Sequence, residues 1–343
     1  MWIIFFNKEL ILNRIPSIIF LLFSFSLLSA GEVKNFKLTQ ESDSQYKIDF
    51  TINDIELQTQ GEFTRLISKS KGATTDIGMP ELPIFTSMIQ VKKGDEYAVE
   101  YEVKSSRTIK NVKIFPNQML VDGIERTSVL DIDHAFYSLE NSYPNDKVFL
   151  SNSMTMRDIE VSVLSMVPFD YNPGTNELEI YESVEINLVK VNSDDSRDYY
   201  ERPRSRVFEK IYQDEVINYN SSTRSDDYQM PAILYICGGS SASNSSFQNL
   251  VEWRKERGYS VTVVSTSTTG STSSQIKNYI SNAYNNWEIP PEYIGLVGDV
   301  GGSYSVATFY GSYGHDNYGQ DCEGDLPYSQ LDGTDLLPEV LVG

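Results

Sequence analysis

The hydrophobic period changes partway along this sequence, and the change restricts the chain to two different folds in series. From Val33 to Val191 apolar residues recur at every second position; beyond Pro231 they come as unbroken runs separated by stretches of helical spacing. Period two marks a strand with one buried face, whereas continuous apolar runs alternating with helices mark strands buried on both faces. A chain of 343 residues has room for two cores of ordinary size.

In the first part, IEVSVLSM (159–166) and LEIYESVEINLVKV (178–191) alternate cleanly, and YNPGTNE between them supplies Pro173 and Gly174 for a turn. The pattern predicts a long antiparallel hairpin. Further strands are expected at 46–52, 84–91, 97–103 and 109–115, giving an antiparallel β-sandwich or barrel over 31–191. Residues 192–230 lose the periodicity and gain charge, Ser and Asn, so they read as a linker or as a segment folded over a neighbour. Arg202, Arg204, Arg206 and Arg224 lie there as exposed-looking basic sites for proteolytic nicking.

From 231 to 343 strands and helices alternate. AILYIC (232–237), YSVTVV (259–264), YIGLVGD (293–299) and EVLVG (339–343) read as buried strands. SSFQNLVEWRKERG (245–258) is a helix with Ser at its start and Gly258 at its end. SSQIKNYISNAYNNW (273–287) places Ile276, Tyr279, Ile280, Ala283, Tyr284 and Trp287 on one helical face. The order implies an α/β domain with a parallel, Rossmann-like sheet, whose ligands gather at the carboxyl ends of the strands; Gly238, Gly239 and Asp299 fall there.

The first thirty residues follow another logic. Lys8 and Arg14 precede the apolar run Ile15 to Leu28, and Ser29-Ala30-Gly31 follow it, the layout of a signal peptide cleaved after Ala30. The run is shorter than the roughly 20 residues of a membrane span. The expected product is secreted, extracellular or at the cell surface, without a membrane span once the signal is removed. Its net charge of −20, from 48 acidic and 28 basic residues, argues against nucleic acid as a partner, because phosphates must be neutralised by Lys and Arg. Solubility and cation binding suit that charge better. Cys237 and Cys322 are the only two cysteines, too few for a disulfide framework.

Several motifs invite chemistry. Gly238-Gly239-Ser240-Ser241 joins a strand to a helix, yet it lacks both the G-x-G-x-x-G pattern and a phosphate-binding Lys, so it reads as a plain turn. His315 and Cys322 stand seven apart, but Asp321, Glu323 and Asp325 surround the thiol with negative charge, the opposite of what lowers a thiol pKa. Both read as loop residues. Cys237 reads as core, and His134 has no partner in sight. The sequence LDGTDLLPE sets Asp332, Asp335 and Glu339 around a glycine turn, and Asp299, ending the preceding strand, can add a fourth carboxylate. Calcium takes six to eight oxygen ligands, so the cluster is either a calcium site or a solvated acidic loop.

The residues also carry a family resemblance. PAILYIC, NLVEWRKERGYSVTVVS, QIKNYI, PPEYIGLVGDV and DLPYSQLDGTDLLPEVLVG, in that order, resemble the opening of the gingipain-type cysteine peptidase domain. GMPELPIFTSMIQVKKG (78–94) and VPFDYNPGTNELEIYESVEINL (167–188) resemble the propeptide that precedes it. The resemblance implies a caspase-like α/β fold and a Cys-His dyad, the His in a Gly-His-Gly setting on a later strand and the Cys roughly thirty residues further on. Neither setting occurs here, so the dyad is expected beyond Gly343 and the chain itself is expected to be inactive. The resemblance further implies a structural calcium held by the side chains of Asp299, Asp335 and Glu339 and the main-chain oxygens of Asp332 and Leu337. It implies peptide substrates for the complete enzyme, and a prodomain that pairs with its own catalytic domain. The expected organisation is therefore signal peptide 1–30, β-rich propeptide 31–191, processing segment 192–230 cut near Arg224 with Arg206 as fallback, and the first part of the peptidase domain, 231–343. The rival readings are a non-catalytic, calcium-stabilised surface or adhesion module and, more distantly, a nucleotide-binding α/β domain.

Overall fold

Alternating sequence becomes two facing sheets. The computed structural model describes residues 35–343 apart from 53–54, 70–71, 122–123, 126–129, 139, 194–201, 222–226, 312–321 and 334. The first sheet holds β1 (Phe36–Glu41), β2 (Gln45–Thr51), β4 (Asp95–Lys110), β8 (Phe169–Asn172) and β9 (Glu177–Ser193). One edge of β9 pairs with β4 along its whole length, and the other edge is shared by β2 and β8. The second sheet contains β3 (Pro83–Val91), β5 (Val148–Leu150), β6 (Met154–Met156) and β7 (Ile159–Met166), with Gly72–Ala73 at one edge.

The two sheets share one core. Ile48, Phe50, Ile180 and Ile186 of the first sheet face Phe85, Ile89, Leu164 and Met166 of the second, and the rings of Phe50 and Phe85 meet edge to face at 5.4 Å. A sandwich rather than a closed barrel follows, because among the described residues no ladder joins the two sheets.

Two expectations require correction. The segments 97–103 and 109–115 are not separate strands: β4 runs unbroken from Asp95 to Lys110, and the rest is loop. The long hairpin predicted between 159–166 and 178–191 also does not form, because β7 and β9 lie in different sheets. The hairpin partner of β9 is the short β8. The reason is visible in β7, which is buried on both faces: Leu164 and Met166 enter the sandwich core while Ile159 and Val161 enter a second cluster on the other side. Pro168, which cannot donate to a ladder, lies where the chain crosses between sheets.

That second cluster is built on a helix in the segment read as linker. Ser205 caps α1 (Arg206–Glu215), accepting from Phe208 N at 3.3 Å, and Phe208 and Tyr212 pack against Met156, Ile159 and Val161. After the helix the chain lies beside β3, with Ile217 N donating to Met88 O and Asn218 exchanging two hydrogen bonds with the Gln90 backbone.

In the last third, β11 (Ser260–Ser265), β10 (Ala232–Cys237), β12 (Tyr293–Val297) and β13 (Leu341–Val342) form a wholly parallel sheet in that order. Helix α2 (Ser245–Glu256) covers Ile233, Tyr235 and Cys237 on one face; α3 (Ser273–Asn286) covers Leu234 and Ile236 on the other through Ile276, Ile280, Ala283 and Tyr284. Local chemistry fixes both helices. Asn244 accepts from the Ser246 and Phe247 amides ahead of α2, and Thr272 and Gln275 form a reciprocal capping box at the start of α3. No helix among the described residues is long and apolar enough to cross a membrane.

The strand order reverses between β10 and β12, and the crevice beyond their carboxyl ends is filled by the chain itself. Asp299 N donates to Tyr304 O at 3.2 Å and Val306 N to Asp299 O at 2.8 Å, which folds residues 299–306 back over the Gly238-Gly239 turn. A Cβ on Gly238 would sit 2.1 Å from Tyr304 O. The paired glycines therefore admit another backbone, not a phosphate. Gly238→Ala is expected to cost about 1–3 kcal/mol by overpacking, measured as a shift in urea midpoint at constant slope; an unchanged midpoint would mean that the 299–306 loop yields freely.

Candidate functional site

At the opposite end of the parallel sheet, the β-sandwich presents a tight turn. β6 and β7 pair as Met156 with Ile159, leaving only Arg157 and Asp158 to turn the chain. Arg157 has φ of 54°, the left-handed region that costs a side chain about 1–2 kcal/mol. Glycine is the usual occupant of such a position. The strain aims the side chain away from its own sheet and into the α/β segment.

There it is almost completely buried, at 1% exposure. Its Nη1 donates to Pro291 O at 3.0 Å and to Glu339 O at 2.9 Å, and its Nη2 lies 3.4 Å from Gln229 Oε1. The guanidinium lies near the rings of Phe208 and Tyr284, at 5.2 and 5.7 Å from their centroids. The Tyr284 hydroxyl donates to the Arg157 carbonyl at 2.8 Å, so backbone and side chain of one residue are both held. Burial raises the Tyr284 pKa, against the opposing pull of Arg202 and Arg157. Glu292, also buried, has its carboxyl pKa raised by burial, partly offset by Ser205 and by the Arg157 charge.

The segment read from sequence as a linker reinforces this contact. Arg202 stacks 3.7 Å from the Tyr284 ring centroid and donates to Tyr284 O and Asn285 Oδ1. Arg204, expected to be exposed, is a correction: it is 4% exposed and pairs with Glu209 at 2.7 Å. Arg206 is exposed but opens α1, with its guanidinium 4.2 Å from the Tyr228 ring centroid. Arg224 and Ala30 lie outside the described residues, as does His315. Tyr212, on α1, brings its hydroxyl to 2.6 Å from Asp158 Oδ1 and 2.8 Å from Met156 O, bracing the turn from behind.

The acidic loop adjoins the same contact. Gly333, at φ of 65°, turns the chain between Asp332 and Asp335. Asp335 Oδ1 accepts from Leu337 N at 2.9 Å, while its Oδ2 accepts from the Thr155 amide of β6 at 3.0 Å. Glu339 is fully buried; its Oε2 accepts from Leu331 N and Asp332 N at 2.5 and 3.2 Å, and its Oε1 has no partner. Burial pushes the Glu339 carboxyl up to about 7, the two amides pull it down, and Asp335 and Asp332 push it further up.

The five expected calcium positions divide into two groups. Asp332, Asp335, Leu337 and Glu339 share one loop. Asp299 does not join them: it follows β12, whereas Glu339 precedes β13, and since Tyr293 pairs with Leu341 in parallel the two acids stand at opposite ends, on the order of 20 Å apart at ordinary strand rise. Among the described residues no three His, Cys, Asp or Glu side chains are close enough to hold a metal ion. The ligand set expected from sequence is therefore not assembled among the described residues. His134 is exposed and Cys237 buried, with the thiol pKa raised by burial.

The Propeptide_C25 family model matches residues 32–226, and the model for Peptidase family C25 matches residues 226–343. Gingipain R1 of Porphyromonas gingivalis is 23% identical over 325 residues, covering 91% of this chain and 31% of that protein. Lys-gingipain of the same species is 24% identical over 325 residues, covering 88% of this chain and 18% of that protein. The chain thus spans less than a third of the length of these curated relatives. A solved complex of the Porphyromonas gingivalis RgpB pro- and mature domains aligns with 55% of this chain and 98% of its own, at TM-score 0.44 and 21% identity.

Truncating the buried guanidinium leaves two main-chain carbonyls without their donor. Arg157→Ala is expected to weaken the contact between sandwich and α/β segment by about 2–5 kcal/mol, read as earlier unfolding in urea and faster proteolysis of the α/β segment. Arg157→Lys should recover only part, since an ammonium cannot reproduce the planar fork. The exposed Arg206→Ala should stay within about 0.5 kcal/mol of wild type, and an equal loss there would assign the effect to charge rather than to the Arg157 contact.

Proposed function

This chain belongs to the Propeptide_C25 family and runs on into peptidase family C25, and on that premise we propose that it is the amino-terminal part of a secreted gingipain-like cysteine endopeptidase zymogen. The sandwich is the prodomain, and the parallel sheet opens the catalytic domain. The observation that carries this reading is Arg157: a strained prodomain turn that buries a charged side chain in the peptidase segment is a built intramolecular restraint. Prodomain and peptidase segment hold one another at the amino ends of β12 and β13.

In the complete protein a cysteine thiolate would attack the substrate peptide carbonyl, forming an acyl-enzyme, with a histidine as general base and then general acid. We place both residues beyond Gly343. Maturation is proposed near Arg224, between α1 and β10, rather than at Arg206, where a cut would have to open the first turn of a packed helix. This chain alone should neither hydrolyse fluorogenic peptides nor be labelled by an active-site thiol probe. The longer precursor should do both after cleavage, with a new amino terminus close to Ser225. Turnover by this chain that Cys322→Ala abolishes would overturn the assignment, and a longer gene product with no downstream dyad would favour the non-catalytic surface module.

We also propose a structural calcium on the acidic loop, held by the side chains of Asp335 and Glu339 and the main-chain oxygens of Asp332 and Leu337, with Asp299 left out. The buried, partnerless Glu339 oxygen on that loop supports it. Oxygen-only donors suit calcium rather than zinc. At about 100 times Kd, calcium should stabilise the mature domain by roughly 2.7 kcal/mol. The check is a melt with calcium and with chelator, repeated for Asp335→Ala. Coincident wild-type melts would leave a solvated acidic loop.

A further inference from the structure

The sandwich leaves a long strand edge uncovered. β4 runs for 16 residues and pairs with β9 along one side. Among the described residues no ladder, bridge or backbone hydrogen bond engages its other side. A row of unpaired N–H and C=O groups is a template for another strand, and DEYAVEYEVKSSRTIK has no proline to interrupt it. The core is also open to water here. Tyr101 is 43% exposed, although Ile186, its partner on β9 and on the same face, is fully buried. The pairing with β9 shifts at Ser105 and regains its register at Ser106, so Tyr97, Val99, Val103 and Ile109 pack on the core from both sides of the shift. The alternate, solvent-facing set is divided by sign: Glu96, Glu100 and Glu102 come first, Lys104 and Lys110 after.

We propose that β4 docks edge to edge on β4 of a second copy of this chain, antiparallel about a two-fold axis at Val103, joining two five-stranded sheets into one. The division of charge selects both the direction and the register. A two-fold axis through an antiparallel pair passes between directly opposed residues, so each permitted register sets one residue against its own copy. With Val103 on the axis, Glu102 faces Lys104 and Glu96 faces Lys110, each twice, and no like charges meet. Moving the axis one residue either way sets Glu102 against Glu102 or Lys104 against Lys104, and directly opposed like charges destabilise a strand pair. The Val103 register also overlaps the strands from Glu96 to Lys110 and brings Tyr101 opposite Ser105 of the second copy, covering the open core. All the residues involved belong to the sandwich, so the pairing is independent of the calcium and zymogen readings.

The experiment is sedimentation velocity over a dilution series of this chain, for the wild type, Lys104→Glu, Glu102→Lys and the double exchange. Both side chains are exposed, so unchanged urea midpoints are expected to show that all four proteins fold alike. The wild type and the double exchange should dimerise. Each single reversal turns two attractive pairs into two repulsive ones and should raise the dimer dissociation constant by about tenfold or more. Association through the apolar run 15–28 would be indifferent to these charges. The register is read by oxidation in a Cys322→Ser background. Val103→Cys should give a disulfide-linked dimer, because directly opposed Cα atoms stand about 4.5–5.5 Å apart, within disulfide reach. Ser105→Cys, about 14 Å from its own copy in this register, should not. A wild type that stays monomeric through the series, or a dimer unmoved by Lys104→Glu, would overturn the proposal. So would a double exchange as weak as the single reversals, or cross-linking through Ser105→Cys in place of Val103→Cys.

Discussion

One guanidinium closes the hydrogen-bond account at the start of the parallel sheet. Pro291 and Glu339 stand just before β12 and β13, where main-chain carbonyls have not yet entered a ladder and must find donors elsewhere. Arg157 supplies those donors from another part of the chain. Almost everything around it serves to keep it there: Tyr284 holds its carbonyl, Tyr212 braces Asp158, and Phe208 closes over the charged group. The left-handed backbone at Arg157 is tolerated because so many partners fix it.

The helix-and-strand part of this arrangement was legible in sequence because it is local. The capping box at Thr272 and Gln275, the stripe from Ile276 to Tyr284 and the glycine at 258 are all within a few residues of what they control. Arg157 was not legible. Written in a row, Met156-Arg157-Asp158 is a polar turn between strands, and nothing nearby distinguishes a solvated arginine from one that reaches carbonyls 134 and 182 residues away. Arg204 failed in the same way, since its ion pair with Glu209 needs the geometry of a helix that the segment's composition concealed. The hairpin expected between 159–166 and 178–191 failed for a different reason. Alternation reports that one face is buried, but not against which sheet, and β7 carries a second buried face that packs on α1.

The acidic cluster shows where sequence proximity helps and where it misleads. Asp332, Asp335 and Glu339 are neighbours in sequence and remain neighbours in the fold. Asp299 was grouped with them because it belongs to the adjoining strand. In a parallel pair, however, the residue that follows one strand and the residue that precedes the next lie at opposite ends. Topology alone separates them.

Where the chain re-enters the parallel sheet, Tyr228 bridges Arg204, Gln229 N donates to Arg204 O at 3.0 Å, and Gln229 Nε2 donates to Pro290 O at 2.9 Å. A backbone cut within 222–226 would sever the covalent link between the two parts and leave every one of these contacts in place. What such a cut changes is the reference state. Before it, the two surfaces face one another at the effective concentration of a short tether, in the millimolar range; after it, they meet only at the concentration of the protein in solution. Separation then becomes a question of dilution and of dissociation rate, so that crowded and dispersed molecules with identical cuts would stand at different degrees of opening.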